Sequence, residues 1–452
     1  MEEDSNWVKA RSSIVWIAAV LVAFGAVWWI ERQTGRELIE RQNAPATAAA
    51  AAAPTGRPAI TASADRAALP APRALTDQER QWARLAWSYF ERNTDARTGL
   101  AGSVEAFPSS TMWDTASYLL AVLAARDLQL IEEAAFDQRM AAALASLERL
   151  PLYANALPNK SYDVRTLAMT DYANKPSPGG IGWSAIDIGR LLVPLNVIAW
   201  HHPRHTEAAR RVIARWNTTQ LARDGQLYGM EVENGAARAV QEGRLGYEQY
   251  AARTFALMGL DVDVALDPTA YLQWVEVEGI QVPADRRDPK QFGAQNYVLS
   301  EPWMLMGLEF GFTRQSAELA WRVYRAQEER FRKSGVRTAV TEDHVDQAPF
   351  FLYNSVYSGG KPWATVTEKG EEHARLRTLS TKAAFAWHAL YRTPYTTQLV
   401  EAVSVAQDPA KGWYAGLYEA GGQPNRSLTA NTNAVVLESL AYIARGPALR
   451  YR

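Results

Sequence analysis

The sequence predicts a mainly α-helical protein whose body is an (α/α)6 toroid, in which six inner helices are surrounded by six outer ones. Apolar residues in the body recur at helical spacing over long segments, and strand-like alternation between turn residues is sparse. Six strongly apolar segments each begin with small or capping residues, and a more amphipathic, charged segment precedes each of them. Six inner and six outer helices are the number that closes a double ring.

The first element is an apolar segment at residues 13–30, which follows a short N-terminal segment, residues 1–12. It contains no charged side chain, and at about 1.5 Å per residue it just crosses a hydrocarbon layer about 30 Å thick. We expect an uncleaved transmembrane helix, since a signal peptide has a shorter apolar run before its cleavage site. Basic residues lie on both sides of this segment, so the positive-inside rule leaves its orientation open.

Residues 31–74 are predicted to be a flexible linker. From residue 44 to 72 the chain consists almost wholly of Ala, Pro, Thr, Ser and Gly. Such a segment has too few large apolar side chains to offset the entropy that folding costs. We therefore expect the folded domain to comprise residues 75–452.

The inner helices are predicted within the six apolar segments, which begin at Ser110, Gly182, Gly243, Leu299, Leu379 and Leu428. The outer helices are predicted at residues 77–92, 136–150, 206–221, 267–276, 314–332 and 395–405. The fourth outer helix has the weakest pattern, because it is short and rich in β-branched residues. Long segments lead into the inner helices and mostly short ones leave them, so we expect a groove at the N-terminal ends of the inner helices.

Composition excludes several classes of protein. The chain has 48 basic and 49 acidic residues, which gives no basic face for nucleic acid. It has no cysteine, which excludes thiol nucleophiles, thiolate zinc sites, iron–sulfur clusters and disulfides. The histidine-rich segment at residues 201–205 lacks acidic companions, and residues 341–346 lack the spacing of a calcium loop. We therefore expect neither a metal nor a cofactor.

Carboxylates recur at the predicted groove, where a helix N-terminus would also favour them as caps. A glycosidase needs a carboxylic acid that stays protonated near neutral pH and a second carboxylate as base or nucleophile. Glu248 is the predicted proton donor, because tyrosines flank it and a buried carboxyl holds its proton. Asp346 and Asp187 compete for the role of base, with Glu342 behind them.

Aromatic and polar side chains in the same segments are candidates for binding sugar, since aromatic rings stack on pyranose rings. Basic residues there, Arg165 included, would contact sugar hydroxyls or an anionic substituent, or pair with neighbouring acids. Asparagines at the last inner helix would bind a ligand or cap the helix. The predicted binding residues are Trp113, Asp114, Lys160, Trp183, Arg244, Tyr247, Tyr353, Trp363, Trp413, Tyr414, Asn431 and Asn433.

The chain resembles the bacterial domain-of-unknown-function family 3131 (DUF3131) in five blocks: TMWDTASYLLA, GWSAIDIGRLL, EGRLGYEQYAA, LSTKAAFAWHALY and GWYAGLYEAGGQPNRSLTANTNAVVLESLAY. The resemblance covers residues 75–446. That family is similar to the six-hairpin glycosidases, among them glucoamylase-like and β-1,2-glucanase-like enzymes. The resemblance implies the same toroid, a polysaccharide ligand and the envelope of a Gram-negative bacterium, but it supplies no agreed pair of catalytic acids.

These observations favour a membrane-anchored periplasmic glycoside hydrolase or transglycosylase that acts on an exopolysaccharide or periplasmic glucan by carboxylate acid/base catalysis. We expect a single pass through the inner membrane, with the C-terminal domain in the periplasm. The alternative is a non-catalytic polysaccharide-binding module that works beside a membrane glycan synthase or export complex. A third hypothesis is a polysaccharide lyase. The sugar, the linkage, the stereochemical outcome and the oligomeric state remain open at this point.

Overall fold

The computed structural model describes residues 57–292 and 294–449, which belong to one compact unit. The predicted transmembrane segment, residues 13–30, and the linker up to residue 56 lie outside the described residues. Within the described residues, no helix has both the length and the apolar character that crossing a membrane requires. The described helices are α1 (Asp77–Asn93), α2 (Met112–Asp127), α3 (Glu133–Arg149), α4 (Ala185–His201), α5 (Thr206–Ala214), α6 (Tyr247–Leu257), α7 (Asp263–Leu266), α8 (Pro289–Phe292), α9 (Glu301–Leu305), α10 (Arg314–Ser334), α11 (Thr381–Tyr391), α12 (Pro394–Val403) and α13 (Ala430–Arg445).

The inner ring consists of α2, α4, α6, α9, α11 and α13, which pack side by side in chain order, with α13 closing the ring against α2. A π-helical turn, Met306–Phe310, extends α9. Hydroxyl side chains cap four of these helices by accepting an N–H bond from the residue three positions on: Thr111, Ser184, Ser380 and Thr429. All six predicted inner helices are confirmed. Their apolar side chains form one continuous core.

Short antiparallel strands occupy the segments that lead into the inner helices, so these segments carry more β-structure than the sequence predicts. The strands are β1 (Ser109–Thr111), β2 (Leu152–Tyr153), β3 (Leu157–Pro158), β4 (Ser161–Asp163), β5 (Ala222–Arg223), β6 (Gln226–Glu233), β7 (Ala236–Gln241), β8 (Leu272–Val277), β9 (Ile280–Asp285), β10 (Tyr297–Val298), β11 (Glu342–His344), β12 (Phe351–Asn354), β13 (Tyr357–Ser358), β14 (Lys361–Pro362), β15 (Thr365–Val366), β16 (Thr378–Ser380), β17 (Gln407–Asp408), β18 (Gly412–Tyr418) and β19 (Pro424–Leu428).

Five outer helices agree with the prediction: α1, α3, α5, α10 and α12. Helix α5 ends at Ala214, and a 3-10 turn, Thr218–Leu221, follows it. The prediction of a fourth outer helix at residues 267–276 is wrong, because β8 and β9 form a hairpin there that packs on α10. Glu278 and Gly279 both have positive φ (55° and 86°), which suits the tight two-residue turn of a hairpin. The β-branched residues around this turn favour strands.

The described part of the predicted linker, residues 57–74, lies against the body. Ser63 donates its backbone N–H and its hydroxyl to Glu318 on α10, at 2.9 and 2.5 Å. Asp65 pairs with Arg325 at 3.2 Å, and Arg73 pairs with Glu79 at 2.7 Å. The scattered charged and hydroxyl side chains of this segment therefore bind it to the helices, although its overall composition predicts a linker.

Candidate active site

The first turn of every inner helix supplies one polar side chain to the same end of the ring. Each of these residues lies within three positions of the N-terminus of its helix, so their side chains share the face that the long connecting segments border. The six residues are Asp114, Asp187, Tyr247, Glu301, Lys382 and Asn431. This end of the ring therefore carries acids, a base, an amide and a phenol, of which Asp114, Glu301 and Lys382 are buried.

Glu301 and Lys382 form a buried ion pair at the centre of this face. Asn431 donates its amide to Glu301 at 2.7 Å. The Lys382 ammonium also lies 3.8 Å from the Asp343 carboxylate. Because Glu301 has these two partners and no exposed surface, its carboxylate is held in place and positions its neighbours.

Glu342 and His344 lie on β11, directly opposite Tyr353 and Phe351 of β12. Opposed residues of an antiparallel pair project from the same side, so these four side chains share one face. Tyr297 stacks on Tyr353 with ring centroids 4.1 Å apart and the planes nearly parallel. A carboxyl group thus stands beside an aromatic wall.

The Glu342 carboxyl keeps its proton at neutral pH. Loss of hydration and the neighbouring Glu301 carboxylate together raise its pKa to about 8, against the opposing effect of the Lys382 ammonium. The Tyr247 hydroxyl lies beside the same carboxyl. A protonated carboxyl next to an aromatic wall can donate a proton to a bound ligand.

Asp187 titrates close to neutrality. Burial and the nearby carboxylates of Glu242 and Asp114 together raise its pKa to about 7, against the opposing effect of Lys160. Glu242 is fixed at the start of α4, where it accepts bonds from the Ser184 hydroxyl and the Ala185 N–H, both at 2.6 Å. The pKa values of Asp187 and Glu342 are therefore both raised from the usual carboxyl range towards neutrality.

The structure places Glu248 outside the groove, which corrects its expected position. Its side chain is fully buried and accepts bonds from Arg287 at 2.7 Å and from Gln241 at 2.9 Å. Arg287 also pairs with Asp285. Burial raises the pKa of Glu248 and Arg287 opposes the rise, so the carboxylate belongs to an internal ion-pair network.

Asp346, another predicted catalytic acid, has both carboxylate oxygens engaged by hydrogen bonds within the fold. It is exposed in the loop after β11, where it accepts bonds from the Tyr418 hydroxyl at 2.5 Å and the Arg426 N–H at 2.8 Å. These bonds tie the loop to β18 and β19. Of the four predicted catalytic residues, Asp187 and Glu342 are therefore the two that are neither enclosed in an internal ion-pair network nor tied into the loop after β11.

Half of the predicted binding residues also lie at this end. Trp113 forms the floor, where the Arg190 guanidinium covers its ring at 4.4 Å and Tyr247 contacts it edge-on at 5.5 Å. Lys160 lies near Asp187 and Glu242. The predicted residues that the structure brings to the groove are Trp113, Asp114, Lys160, Tyr247, Tyr353 and Asn431.

The other predicted binding residues have structural roles, which corrects their expected positions. Trp183 and Trp413 are buried, and their indole N–H groups donate to the carbonyls of Tyr228 and Trp82 at 3.2 Å. Neither ring therefore offers a face to a sugar.

Arg244 is buried and donates to Gln241 at 2.8 Å and to the Phe292 carbonyl at 3.1 Å. Asn433 is buried, and its side-chain oxygen accepts the Trp413 N–H at 2.8 Å. Trp363 binds Glu278 of the hairpin turn at 3.1 Å beside α10, and Tyr414 lies half-buried against the core. These hydrogen bonds and packing contacts hold parts of the fold together, so none of these four side chains is directed into the groove.

Sequence reasoning missed four residues of the site: Lys382, Tyr297, His344 and Tyr172. A lysine in the first turn of an otherwise apolar inner helix is a signal that could have identified Lys382. Tyr172 is 63% exposed and lies within electrostatic reach of Asp187 and Glu242. Nothing in the local sequence distinguishes Tyr297 or His344, because their positions depend on strand pairing.

Within the part of the chain that the structure describes, no group of three or more His, Asp or Glu side chains could hold a metal ion. In the histidine-rich segment, His205 binds Asp137 at 2.8 Å and His202 packs on Phe136. This segment follows α4 and lies at the end of the ring opposite the groove.

The architecture is therefore a toroid of six inner helices with carboxylates and aromatic rings at one end. The chain itself belongs to the family described as "Protein of unknown function (DUF3131)", whose profile matches residues 81–446. The comparison with curated proteins found no match.

Solved structures of low sequence identity share the fold. An endo-β-1,2-glucanase from Chitinophaga pinensis, in complex with sophorotriose and glucose, matches with a TM-score of 0.61 and 12% identity, over 82% of this chain and 94% of its own. A glucoamylase-like protein from Bacteroides caccae matches with a TM-score of 0.61 and 13% identity, over 82% and 94% of the two chains. An endo-β-1,2-glucanase from Talaromyces funiculosus, in complex with sophorose, has a TM-score of 0.57 and 11% identity, over 82% and 84%.

Proposed function

We propose that the protein is a glycoside hydrolase that cleaves a glucan in the groove at the N-terminal ends of the inner helices. The observation that carries the proposal is the pair formed by Glu342 and Asp187, two partly exposed carboxyls within electrostatic reach of each other, whose pKa values are raised to about 8 and about 7, so that each can hold or release a proton near neutral pH. Two carboxyls with opposite protonation are what glycoside cleavage requires.

In this mechanism Glu342 is the proton donor and Asp187 the base. Glu342 gives its proton to the glycosidic oxygen as the bond between that oxygen and the anomeric carbon breaks. Asp187 takes a proton from the water that attacks the anomeric carbon, so one product gains a hydroxyl hydrogen and the other gains the hydroxyl. The stacked pair of Tyr297 and Tyr353 supplies an apolar surface for the sugar rings.

The solved relatives suggest the first substrate to test. Two of them are endo-β-1,2-glucanases whose structures contain sophorotriose with glucose, or sophorose. Since 11–12% identity carries the fold alone, a β-1,2-linked glucan is part of our proposal for this chain. A periplasmic glucan or an exopolysaccharide would present such a backbone.

We also propose that residues 13–30 anchor the chain in the inner membrane and leave the domain in the periplasm. This proposal rests on the uncharged apolar sequence of the segment. A reporter enzyme that is active only in the periplasm, fused after residue 452, should be active. An inactive periplasmic reporter with an active cytoplasmic one would contradict this orientation.

The full-length chain should release reducing ends from linear β-1,2-glucan at pH 7.5. Glu342→Gln and Asp187→Asn should each lower kcat by about 10²–10⁴-fold, because each removes a proton-transfer group. Asp346→Asn is the matched control, since both oxygens of this carboxylate are engaged by Tyr418 and Arg426, and it should retain activity.

Products longer than the substrate would indicate transglycosylation by the same pair. Binding of glucan without cleavage over pH 5–8 would instead support the non-catalytic module. Activity that survives in Glu342→Gln would exclude Glu342 as the donor.

A further inference from the structure

Two loops on the groove side of the ring contain the same four-residue turn. Residues 95–98 read DART and residues 163–166 read DVRT. In the first, the Asp95 carboxylate accepts the N–H groups of Arg97 and Thr98 at 2.9 and 3.2 Å. In the second, the aspartate accepts the corresponding arginine and threonine N–H groups at 2.9 and 3.0 Å. The same pattern of Asp, any residue, Arg and Thr thus forms the same hydrogen bonds in two places.

The two turns meet at one surface pocket of about 480 Å³. The arginine and threonine of each turn line this pocket, and Arg149, the last residue of α3, joins them from a third segment. We call it the arginine pocket; the side chains that define it are Arg97, Thr98, Arg149, Arg165 and Thr166.

Buried hydrogen bonds fix the three segments relative to one another. The Ser146 hydroxyl, on α3, donates to the Thr98 carbonyl at 2.6 Å. The Thr98 hydroxyl donates to the Val164 carbonyl, also at 2.6 Å. The walls of the arginine pocket are therefore set before any ligand arrives, which lowers the entropy cost of binding.

The arginine pocket carries excess positive charge. The guanidinium groups of Arg97 and Arg165 lie 3.3 and 3.1 Å from the aspartates of their turns, yet 69% and 53% of these side chains remain exposed. Arg149 donates to the Ala145 carbonyl and the Ser146 hydroxyl, both at 3.2 Å, and pairs with no carboxylate among the described residues. Three guanidinium groups thus face two carboxylates, which the backbone N–H groups already engage.

We propose that the arginine pocket binds an oxyanion, a carboxylate or phosphate group that is either free or carried by a saccharide. A guanidinium is planar and donates two parallel hydrogen bonds to such a group. The second turn is also tied to the segment that carries the exposed site residue Tyr172, because Asn174, two residues further on, donates its amide to Asp163 at 2.9 Å. An anionic substituent on a glycan that leaves the groove past Tyr172 is one source of such a group.

The test measures binding of two probes, inorganic phosphate and digalacturonate, to the full-length chain at low ionic strength. Arg149→Gln and the double variant Arg97→Gln/Arg165→Gln should each raise Kd about tenfold for each guanidinium removed. The turns should stay folded, because their aspartates still accept the backbone N–H groups. The matched control is Arg210→Gln, an exposed arginine on α5 that pairs with Glu207 at 3.0 Å outside any such pocket, and it should bind as the parent does.

Binding of either probe that weakens in the pocket variants but not in the control supports the site. Binding of phosphate alone identifies a free anion as the ligand, and tighter binding of digalacturonate identifies a saccharide-borne one. No binding of either probe would overturn the proposal, as would equal weakening in Arg210→Gln, which indicates attraction to surface charge in general. Because this assay measures no cleavage, its result tests the arginine pocket independently of the proposed hydrolase activity.

Discussion

Replacing Glu301 with glutamine should move the alkaline limb of the pH–activity profile to lower pH. The Glu301 carboxylate is fully buried, pairs with Lys382 and accepts the Asn431 amide at 2.7 Å. Its charge is the largest contribution after burial to the raised pKa of Glu342. Glutamine keeps the shape and can still accept the Asn431 bond, so the change removes mainly the negative charge.

Two effects of this substitution lower the pKa of Glu342. The repulsion by the Glu301 charge disappears, and Lys382, without its nearest carboxylate, becomes free to attract the carboxyls of Asp343 and Glu342. An opposite charge within about 4–6 Å typically lowers a carboxyl pKa by about 1–3 units. We therefore expect the limb to fall from about 8 to about 7 or below.

A fall of about one unit reduces the protonated fraction of Glu342 at pH 8 from about one half to about one tenth, so kcat/KM at that pH should drop about fivefold. The assay is kcat/KM for β-1,2-glucan measured from pH 5 to 9. Glu79→Gln is the matched control, because Glu79 is a buried carboxylate that pairs with Arg73 at 2.7 Å away from the groove. An alkaline limb that stays near pH 8 or rises in Glu301→Gln would refute the reasoning.

Three further predictions concern the fold. Trp413→Ala should lower the free energy of unfolding by about 3–5 kcal/mol, because the ring is fully buried. Tyr353→Ala should mainly raise KM, because its ring lines the groove. Urea unfolding and steady-state kinetics distinguish the two effects. Asp163→Asn should cost about 1–3 kcal/mol in the same unfolding assay, because the carboxylate accepts bonds from Arg165, Thr166 and Asn174. His388→Gln should make the free energy of unfolding less dependent on pH between 6.5 and 4, because burial lowers the pKa of His388 to about 4. The measurement is the urea midpoint of parent and variant at pH 7 and pH 5.

The direction in which pH changes the stability contributed by His388 and by Asp163 follows from their pKa values in the folded protein. His388 binds its proton more weakly in the folded protein than its ordinary pKa of 6.5 predicts, so its contribution is complete above pH 6.5 and is lost as the pH falls towards 4. Burial alone would raise the pKa of Asp163, but hydrogen bonds from Asn174 and Arg165 lower it to about 2. Its contribution is therefore lost as the pH falls from about 4 to about 2.

Each of these predictions has an outcome that contradicts it. A Trp413→Ala variant of parental stability would show that the ring is not part of the core. Unchanged unfolding in Asp163→Asn would mean that the turn does not depend on its carboxylate. For His388→Gln, a difference between the pH 7 and pH 5 midpoints as large as that of the parent would contradict the assigned titration.

Local patterns predicted most of the fold because they act within each helix. Apolar runs behind capping residues located every inner helix, and the caps at Thr111 and Ser184 form as their sequence suggests. The fourth outer helix was predicted wrongly because its apolar spacing also suits strands, and the turn at Glu278 and Gly279 decides for a hairpin.

The site was harder to predict, because exposure depends on partners distant in sequence. Glu248 and Asp187 are both acids in the first turn of an inner helix. Arg287, 39 residues further on, encloses Glu248, whereas no arginine reaches Asp187 among the described ion pairs. Trp183 and Trp413 likewise look the same as Trp113 in sequence, and only packing distinguishes core rings from the ring on the groove floor.

The charges at the ring axis explain how an apolar helix bundle maintains a protonated acid. Lys382 is the one ammonium near Glu301, Glu342 and Asp343 among the described ion pairs, and it is itself buried. One positive charge can balance one carboxylate at low cost, and additional buried negative charges without a partner are strongly disfavoured. Glu301 holds that balancing position through its contact with Lys382, so the pKa values of Glu342 and Asp343 both rise. Of these two, Glu342 shares its face with Tyr353, which makes it the protonated carboxyl that a sugar in the groove would meet.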